Sequence, residues 1–195
     1  MNIAPKKILV LLGNGDAESF SGEIAASYER GAMAAGHSVI RVNIGDLAFD
    51  PILHKGYKVI QVLEPDLVQL QAQITAADHL VIVYPNWWCS MPALLKGLFD
   101  RIWLPGFAFN FDKKTHALIQ RLAGKSARVI ILSGSHSPFM EWMKYGDYKN
   151  EIARGLLGFA GMKVKVTSFG PCERQDPHAH AGWIKQTEML GARAQ

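Results

Sequence analysis

The sequence is poor in cysteine: Cys89 and Cys172 are the only two among 195 residues, and neither stands in a CxxC or metal-ligand spacing. A disulfide scaffold is therefore not indicated, and both residues are expected to be free thiols. Long hydrophobic runs are also absent, because runs such as residues 129–132 are only strand-sized, whereas about 20 residues are needed to cross a bilayer. No secretory signal precedes the first predicted strand, so we expect a cytoplasmic protein.

A large excess of charge of one sign is missing as well. The chain has 21 Lys and Arg against 17 Asp and Glu, a formal net charge of +4. Basic residues alternate with acidic ones along the predicted helices and form no basic stripe, so nucleic acid is not an expected partner. With 49% hydrophobic and 19% charged residues, the chain is expected to form one globular domain over residues 1–195.

Apolar runs alternate with helical patterns along the chain. Strands are predicted at 7–12, 38–42, 80–84, 129–133 and 164–169, and helices at 19–35, 66–77, 92–104, 149–161 and 177–191. Nearly continuous apolar strands are typical of a parallel sheet covered on both faces, which predicts a three-layer α/β domain. Two segments, 45–65 and 106–126, are longer than normal connections, and such segments often carry function.

Ligands of open α/β sheets bind beyond the carboxyl ends of the strands, and three loops follow such ends here. The loop 13–21 is small and polar and precedes a helix, so its N–H groups with Ser19 and Ser21 suit a phosphate. It lacks the lysine of a P-loop and does not complete GxGxxG. An ordinary helix N-cap explains this loop equally simply.

The second loop contains two adjacent tryptophans, Trp87 and Trp88, between Pro85 and Pro92. Such a stiff aromatic loop suits a flat ligand, and the alternative is a pair of core or interface tryptophans. The third loop, 133–139, is rich in hydrogen-bond donors, and it either closes over the ligand or simply caps the sheet.

Other reactive side chains do not indicate a site. His178 and His180 have no third ligand nearby, so no metal is expected. Cys89 lacks a Cys-His-acid arrangement in its local sequence and is not expected to be a nucleophile. His37 and His79 border strands, which indicates a structural role.

Taken together, these residues resemble the NAD(P)H:quinone oxidoreductases of the flavodoxin-like superfamily, including the short bacterial members. The most specific match is Pro85-x-x-Trp88-x-x-x-Pro92-Ala93-x-Leu95-Lys96-Gly97, followed by Asp100-Arg101. Further matches are Ser19-Phe20-Ser21, the segment 46–51, Glu64-Pro65-Asp66 and the segment 106–109.

The resemblance implies a flavodoxin-like three-layer sandwich, with a five-stranded parallel sheet in the order 2-1-3-4-5 and helices on both faces. It also implies non-covalently bound FMN or FAD and a homodimer whose site draws on both subunits. The implied ring-binding residues are Pro85, Asn86, Trp87, Trp88 and Cys89 on one side, and Ser133, Gly134, Ser135 and His136 on the other. The implied phosphate-binding residues are Asn14, Ser19, Phe20 and Ser21, and the implied substrate pocket comprises Trp87, Phe107, Phe109 and Phe139.

The resemblance further implies two-electron hydride transfer from NAD(P)H to flavin N5 and then to a quinone, or to an azo or nitro compound. The better-studied members stabilise the reduced flavin with a Tyr and a His, where this chain has Phe139 and Tyr145. Tyr145 and His136 are therefore the expected catalytic residues, with Lys144 as a further source of charge. Glu18 is a second departure, because a carboxylate near the expected phosphate is repulsive.

Two other functions remain open from the sequence. The chain is similar in length to the ancillary flavoproteins of potassium-efflux systems, so a flavin-binding regulatory subunit of a membrane cation-efflux transporter is the main alternative. A flavodoxin-type electron carrier is the other, but such carriers are usually strongly acidic and this chain is basic.

Overall fold

A computed structural model of the chain describes residues 4–134, 136–174 and 176–195. Its strands are β1 (Lys7–Leu12), β2 (Ser38–Asn43), β3 (His79–Asn86), β4 (Phe109–Phe111), β5 (Leu118–Gln120), β6 (Ser126–Ser133) and β7 (Lys163–Phe169). Its α-helices are α1 (Phe20–Ala34), α2 (Pro65–Ala76), α3 (Ala93–Ile102), α4 (Pro138–Tyr145) and α5 (Pro177–Ala192). A π-helix, called the wide helix below, spans Glu151–Gly158. Short 3₁₀ turns lie at Ile44–Asp46, Gly56–Lys58 and Cys172–Arg174.

Five strands form one parallel sheet in the order β2-β1-β3-β6-β7. This order confirms the prediction 2-1-3-4-5, because β4 and β5 are a separate antiparallel pair and only shift the numbering. The apolar runs of β1, β3 and β6 are buried on both faces, as a covered parallel sheet requires, whereas the edge strands β2 and β7 are partly exposed.

Alternate side chains of the central strands pack on opposite faces of the sheet. Leu9, Leu11, Leu80 and Ile82 belong to the core that includes buried side chains of α2, α3 and the wide helix. Ile8, Val10, Val81 and Val83 belong to the core on the other face, with the α1 residues Ile24, Ala25, Tyr28 and Ala32. The domain is therefore a three-layer sandwich.

Helices α1 and α5 approach each other closely because glycines lie at their contact. A Cβ at Gly31 would come 2.0 Å from the carbonyl oxygen of Glu188, and one at Gly191 would come 2.1 Å from that of Tyr28. Side chains at these two positions would force the helices apart.

The structure adds elements that the sequence pattern did not predict. Helix α4 follows the third loop, and its start is marked by Ser137, whose Oγ accepts a hydrogen bond from the N–H of Met140. The β4–β5 hairpin occupies most of the long segment 106–126. Both elements are short, so neither has enough periodic positions to stand out in the sequence.

The other long segment is held against α3 by Arg101, which is only 1% exposed. Its guanidinium donates hydrogen bonds to both carboxylate oxygens of Glu64, at 3.1 and 2.8 Å, and to the carbonyl oxygens of Asp50 and Val62. Two of the residues from the family-like motifs, Glu64 and Arg101, are therefore structural partners. No helix in the described part of the chain is long and apolar enough to span a membrane.

Candidate active site

A cavity of about 570 Å³ lies at the carboxyl edge of the sheet, between the loops that follow β3 and β6. These loops are adjacent because β3 and β6 are hydrogen-bonded neighbours. We call this space the carboxyl-edge cavity; it is lined by Asn86, Trp87, Trp88, Cys89, Gly134, His136, Glu141, Tyr145 and Glu173. Its volume is within the range of roughly 300–1,000 Å³ that is usual for small-molecule sites.

The tryptophan loop forms a tight turn with an unusual backbone. Trp87 and Ser90 exchange two backbone hydrogen bonds of 3.0 and 3.1 Å, while Trp88 and Cys89 between them have φ values of 54° and 62°. Left-handed conformations cost about 1–2 kcal/mol for a residue with a Cβ. The turn leaves Trp87 53% and Trp88 99% exposed, so neither indole is a core residue. Such strain is typical of functional sites.

Glu141 connects the two loops across the cavity floor. This α4 residue is 7% exposed, and its Oε2 accepts hydrogen bonds from Asn86 Nδ2 at 2.9 Å and from Ser133 Oγ at 2.6 Å. The Tyr148 hydroxyl lies 3.3 Å from the same serine oxygen, and burial raises the pKa of Tyr148 to about 12. Asn86 and Ser133, two of the predicted ring-binding residues, are thus joined by a residue that the sequence did not indicate.

The two predicted catalytic residues both line this cavity. The rings of His136 and Tyr145 meet edge-on with their centroids 6.3 Å apart. Lys144 Nζ lies 2.9 Å from His136 Nε2, and because an ammonium can only donate, Nε2 is the acceptor. Lys144 therefore places a positive charge next to an imidazole that lines the cavity.

Acidic groups face the cavity from other elements. The backbone N–H of Glu173 donates to the carbonyl of Gly134 at 3.1 Å, and a Cβ at Gly134 would come 2.6 Å from Glu173 Oε1. Burial, and secondly the charge of Glu141, raise the pKa of the Cys89 thiol. The same causes, together with Glu173, raise the pKa of Cys172 to about 12. Both cysteines are free thiols that stay protonated at neutral pH, which makes them poor nucleophiles.

The loop after β1 is organised around the cap of α1. Ser19 Oγ donates to the carbonyl of Asp16 at 2.7 Å, and it accepts from Asn14 Nδ2 at 2.9 Å and from the N–H of Gly22 at 3.3 Å. Ser21 is buried, and the ring of Phe20 stacks on that of His180 with centroids 4.2 Å apart. Three hydrogen bonds thus already engage the Ser19 hydroxyl, so phosphate binding by this loop stays a prediction.

Three residues of the predicted substrate pocket lie elsewhere. Phe109 lines an apolar groove of about 680 Å³, which it shares with Tyr57, Ile60, Phe111 and Phe159, while Phe107 packs edge-on against Trp103. Phe139 is 65% exposed and lies near Trp142 rather than in the cavity. Of the four predicted pocket residues, Trp87 lines the carboxyl-edge cavity. The predicted ring-binding residue Ser135 lies outside the described residues.

The sequence pattern does not indicate that Glu141 and Glu173 line the cavity. It also does not indicate Glu151, which lies outside the cavity lining and accepts a hydrogen bond from Ser90 Oγ at 2.9 Å. Glu141 stands within a short helix that the sequence pattern does not predict, and Glu173 follows the carboxyl end of β7. The next strand end in the sheet is the signal that was available, since β7 borders β6.

A five-stranded parallel sheet in this order, with a cavity at its carboxyl edge, defines a flavodoxin-like α/β protein. The sequence model of the family described as flavodoxin-like fold matches residues 6–183, and the chain belongs to this family.

Two oxidoreductases are similar to the chain over nearly its whole length. The rat ribosyldihydronicotinamide dehydrogenase [quinone] is 24% identical over 222 residues, covering 96% of this chain and 93% of the relative. An uncharacterized NAD(P)H oxidoreductase of Haemophilus influenzae is 25% identical, covering 91% of this chain and 90% of the relative. These relatives are oxidoreductase enzymes.

Solved structures share the fold. The NAD(P)H:quinone oxidoreductase of Methanothermobacter marburgensis superposes with a TM-score of 0.82 at 21% identity, covering 98% of this chain and 100% of that one. The FMN-dependent NADH-azoreductase of Bacillus anthracis, solved in complex with FMN, superposes with a TM-score of 0.75 at 18% identity, covering 96% and 98%.

Proposed function

We propose that the chain is a flavin-dependent NAD(P)H:quinone oxidoreductase whose flavin ring binds in the carboxyl-edge cavity. The observation that carries this proposal is the cavity itself, in which the strained aromatic turn after β3 and the loop after β6 converge. The relatives named as NAD(P)H and quinone oxidoreductases support the reaction class.

The residues of the cavity suit a flavin ring. Trp87 and Trp88 offer aromatic surface for its flat faces, and Gly134 leaves the loop after β6 without a side chain on the opposite side. Asn86 Oδ1 is buried and has no hydrogen-bond partner in the described part of the chain, so it is an acceptor for a ring N–H. The loop after β1 leads into α1, so its N–H groups and Asn14 suit a ribityl phosphate.

A bound flavin supplies two-electron transfer between NAD(P)H and the acceptor. The described side chains have three tasks around it: the indoles exclude water, the Glu141 bridge keeps Asn86 and Ser133 in place, and Tyr145 donates a hydrogen bond at the mouth of the cavity. The contact with Lys144 keeps His136 Nε2 a hydrogen-bond acceptor.

We also propose a homodimer. Large apolar side chains remain exposed around the cavity and the Phe109 groove: Tyr57 at 70%, Ile60 at 92%, Val62 at 82%, Trp88 at 99% and Trp142 at 51%. Exposed apolar surface of this kind indicates an interaction site. Phe107 and Phe109, which lie outside the cavity of their own chain, reach a ligand only if a second copy presents them.

Spectroscopy of the purified chain after incubation with FMN or FAD tests the proposal. We expect a yellow complex that is bleached by NADH or NADPH and reoxidised by menadione, and light scattering that reports a dimer. The comparison of FMN with FAD and of NADH with NADPH decides the cofactor and the nucleotide. A protein that retains neither flavin after gel filtration contradicts the proposal.

The variant Trp87→Ala is expected to lower flavin affinity because it removes a wall of the cavity. Its control is Met33→Ala, since Met33 is a large apolar side chain that is 60% exposed near the end of α1 and does not line the cavity. If the two variants bind flavin equally well, the ring does not lie against Trp87.

A further inference from the structure

Glu141 is an unusual residue for its position. It is a carboxylate with 7% exposure, it lines the cavity, and none of the described residues forms an ion pair with it. A buried carboxylate is costly unless it is paired with a cation or well hydrogen-bonded. Oε2 accepts two hydrogen bonds from neutral groups, Asn86 Nδ2 and Ser133 Oγ. They hold the carboxylate in place without cancelling its charge.

The negative charge of Glu141 affects the pKa of groups around the cavity. Glu141 contributes to raising the pKa of three neighbouring groups, Cys89, Tyr148 and Cys172, which lie on three different elements. Glu173 adds a second carboxylate on the far side. The opposing cation is Lys144, an exposed residue that contacts the cavity through His136, so solvent screens it more than it screens Glu141.

We propose that Glu141 is a tuning residue, which makes the carboxyl-edge cavity bind oxidised flavin more tightly than reduced flavin. This inference rests on the proposed flavin site. The oxidised ring is neutral, whereas reduced flavin carries a negative charge at neutral pH, so only the reduced form is repelled by a nearby carboxylate. Weaker binding of the reduced form lowers the midpoint potential of the bound flavin and brings acceptors of lower potential within its reach.

The direction of the effect follows from Coulomb's law. A buried carboxylate repels the anionic reduced form more strongly than a solvent-exposed one would, and the Lys144 charge offsets part of this repulsion. We therefore expect about tenfold weaker binding of reduced than of oxidised FMN, which is about 30 mV for a two-electron couple.

The test measures the dissociation constants of FMN and of dithionite-reduced FMN, with the midpoint potential as an independent readout. We expect the wild-type chain to bind oxidised FMN about ten times more tightly than reduced FMN, so the ratio of the two affinities is about ten. Glu141→Gln keeps the shape and removes the charge, so its ratio falls towards one and its midpoint potential rises. Glu141→Asp keeps the charge but strains the two hydrogen bonds, so it weakens both affinities and preserves the ratio.

Glu151→Gln is the matched control, because Glu151 also accepts a hydrogen bond from a serine but does not line the cavity. Its ratio should equal that of the wild type. If Glu141 only supported the fold, Glu141→Gln would weaken the binding of oxidised and of reduced FMN by the same factor. That result would overturn the proposal. If Glu141→Gln fails to fold, the wild-type ratio decides, since a value of one or less refutes the tuning role. Retention of neither redox form by the wild type refutes the flavin site itself.

Discussion

His79 is expected to make the stability of this fold depend on pH between about 4 and 6.5. It is the first residue of β3, at the opposite end of the sheet from the cavity, and it is 2% exposed. Its Nδ1 lies 2.7 Å from Ser126 Oγ, and its Nε2 has no partner among the described residues. Burial, followed by the charges of Lys6, Arg128 and His37, lowers the pKa of His79 to about 4.

The sign of the dependence follows from this lowered pKa. The unfolded chain takes up the proton near pH 6.5 and the folded chain only near pH 4, so the unfolded state binds more protons between these values. Stability is therefore complete above about pH 6.5 and falls as the pH decreases to about 4. The difference of 2.5 pKa units corresponds to about 3.4 kcal/mol at most, of which about 2.5 kcal/mol is lost by pH 4.5.

Urea unfolding of the wild type and of His79→Asn at several pH values between 7.5 and 4.5 measures this effect. Asparagine retains a polar group near Ser126 and cannot titrate, so carboxylates contribute equally to both proteins. We expect the free energy of unfolding of the wild type to fall by about 2.5 kcal/mol more than that of the variant. Parallel curves would show that His79 is protonated in the folded protein, and the burial argument would then be wrong.

Three further predictions concern packing and strain, and all are measured by urea unfolding. Gly191→Ala should lower the free energy of unfolding by about 3 kcal/mol because its Cβ would overlap the Tyr28 carbonyl oxygen, whereas Gly182→Ala in the same helix meets no atom within 4 Å and should raise it by about 0.5–1 kcal/mol. A smaller difference between the two would mean that α1 and α5 can separate. Arg101→Met should cost about 3 kcal/mol because it leaves Glu64 and two carbonyls without their donor, and a neutral result would contradict the anchoring of the segment 47–64. Trp88→Gly should be more stable than Trp88→Ala by about 1 kcal/mol because glycine adopts positive φ without strain, and equal stability would show that the turn is relaxed.

The carboxyl-edge cavity illustrates how far local sequence can be read. Trp87 and Trp88 could be predicted as ligand-binding residues, because an aromatic pair between two prolines has no simple structural use in a loop. Glu141 could not be predicted, since a single glutamate in a short helix looks like a solvent-exposed residue. Its burial depends on Asn86 and Ser133, which are 55 and 8 residues away. Contacts of this kind leave no periodic signal.

The sequence alone determined the five strands of the parallel sheet and most of the helices between them, because apolar runs and helical periodicity are local. The order of the strands was implied by the resemblance to a known family. The sequence also located the loops after β1, β3 and β6 at one edge of the sheet. Only the tertiary structure decided which side chains share the cavity: it brought Glu141 and Glu173 into it and placed Phe107, Phe109 and Phe139 outside it. The physical reason is that strand order selects an edge, whereas side-chain direction and burial depend on packing between distant segments.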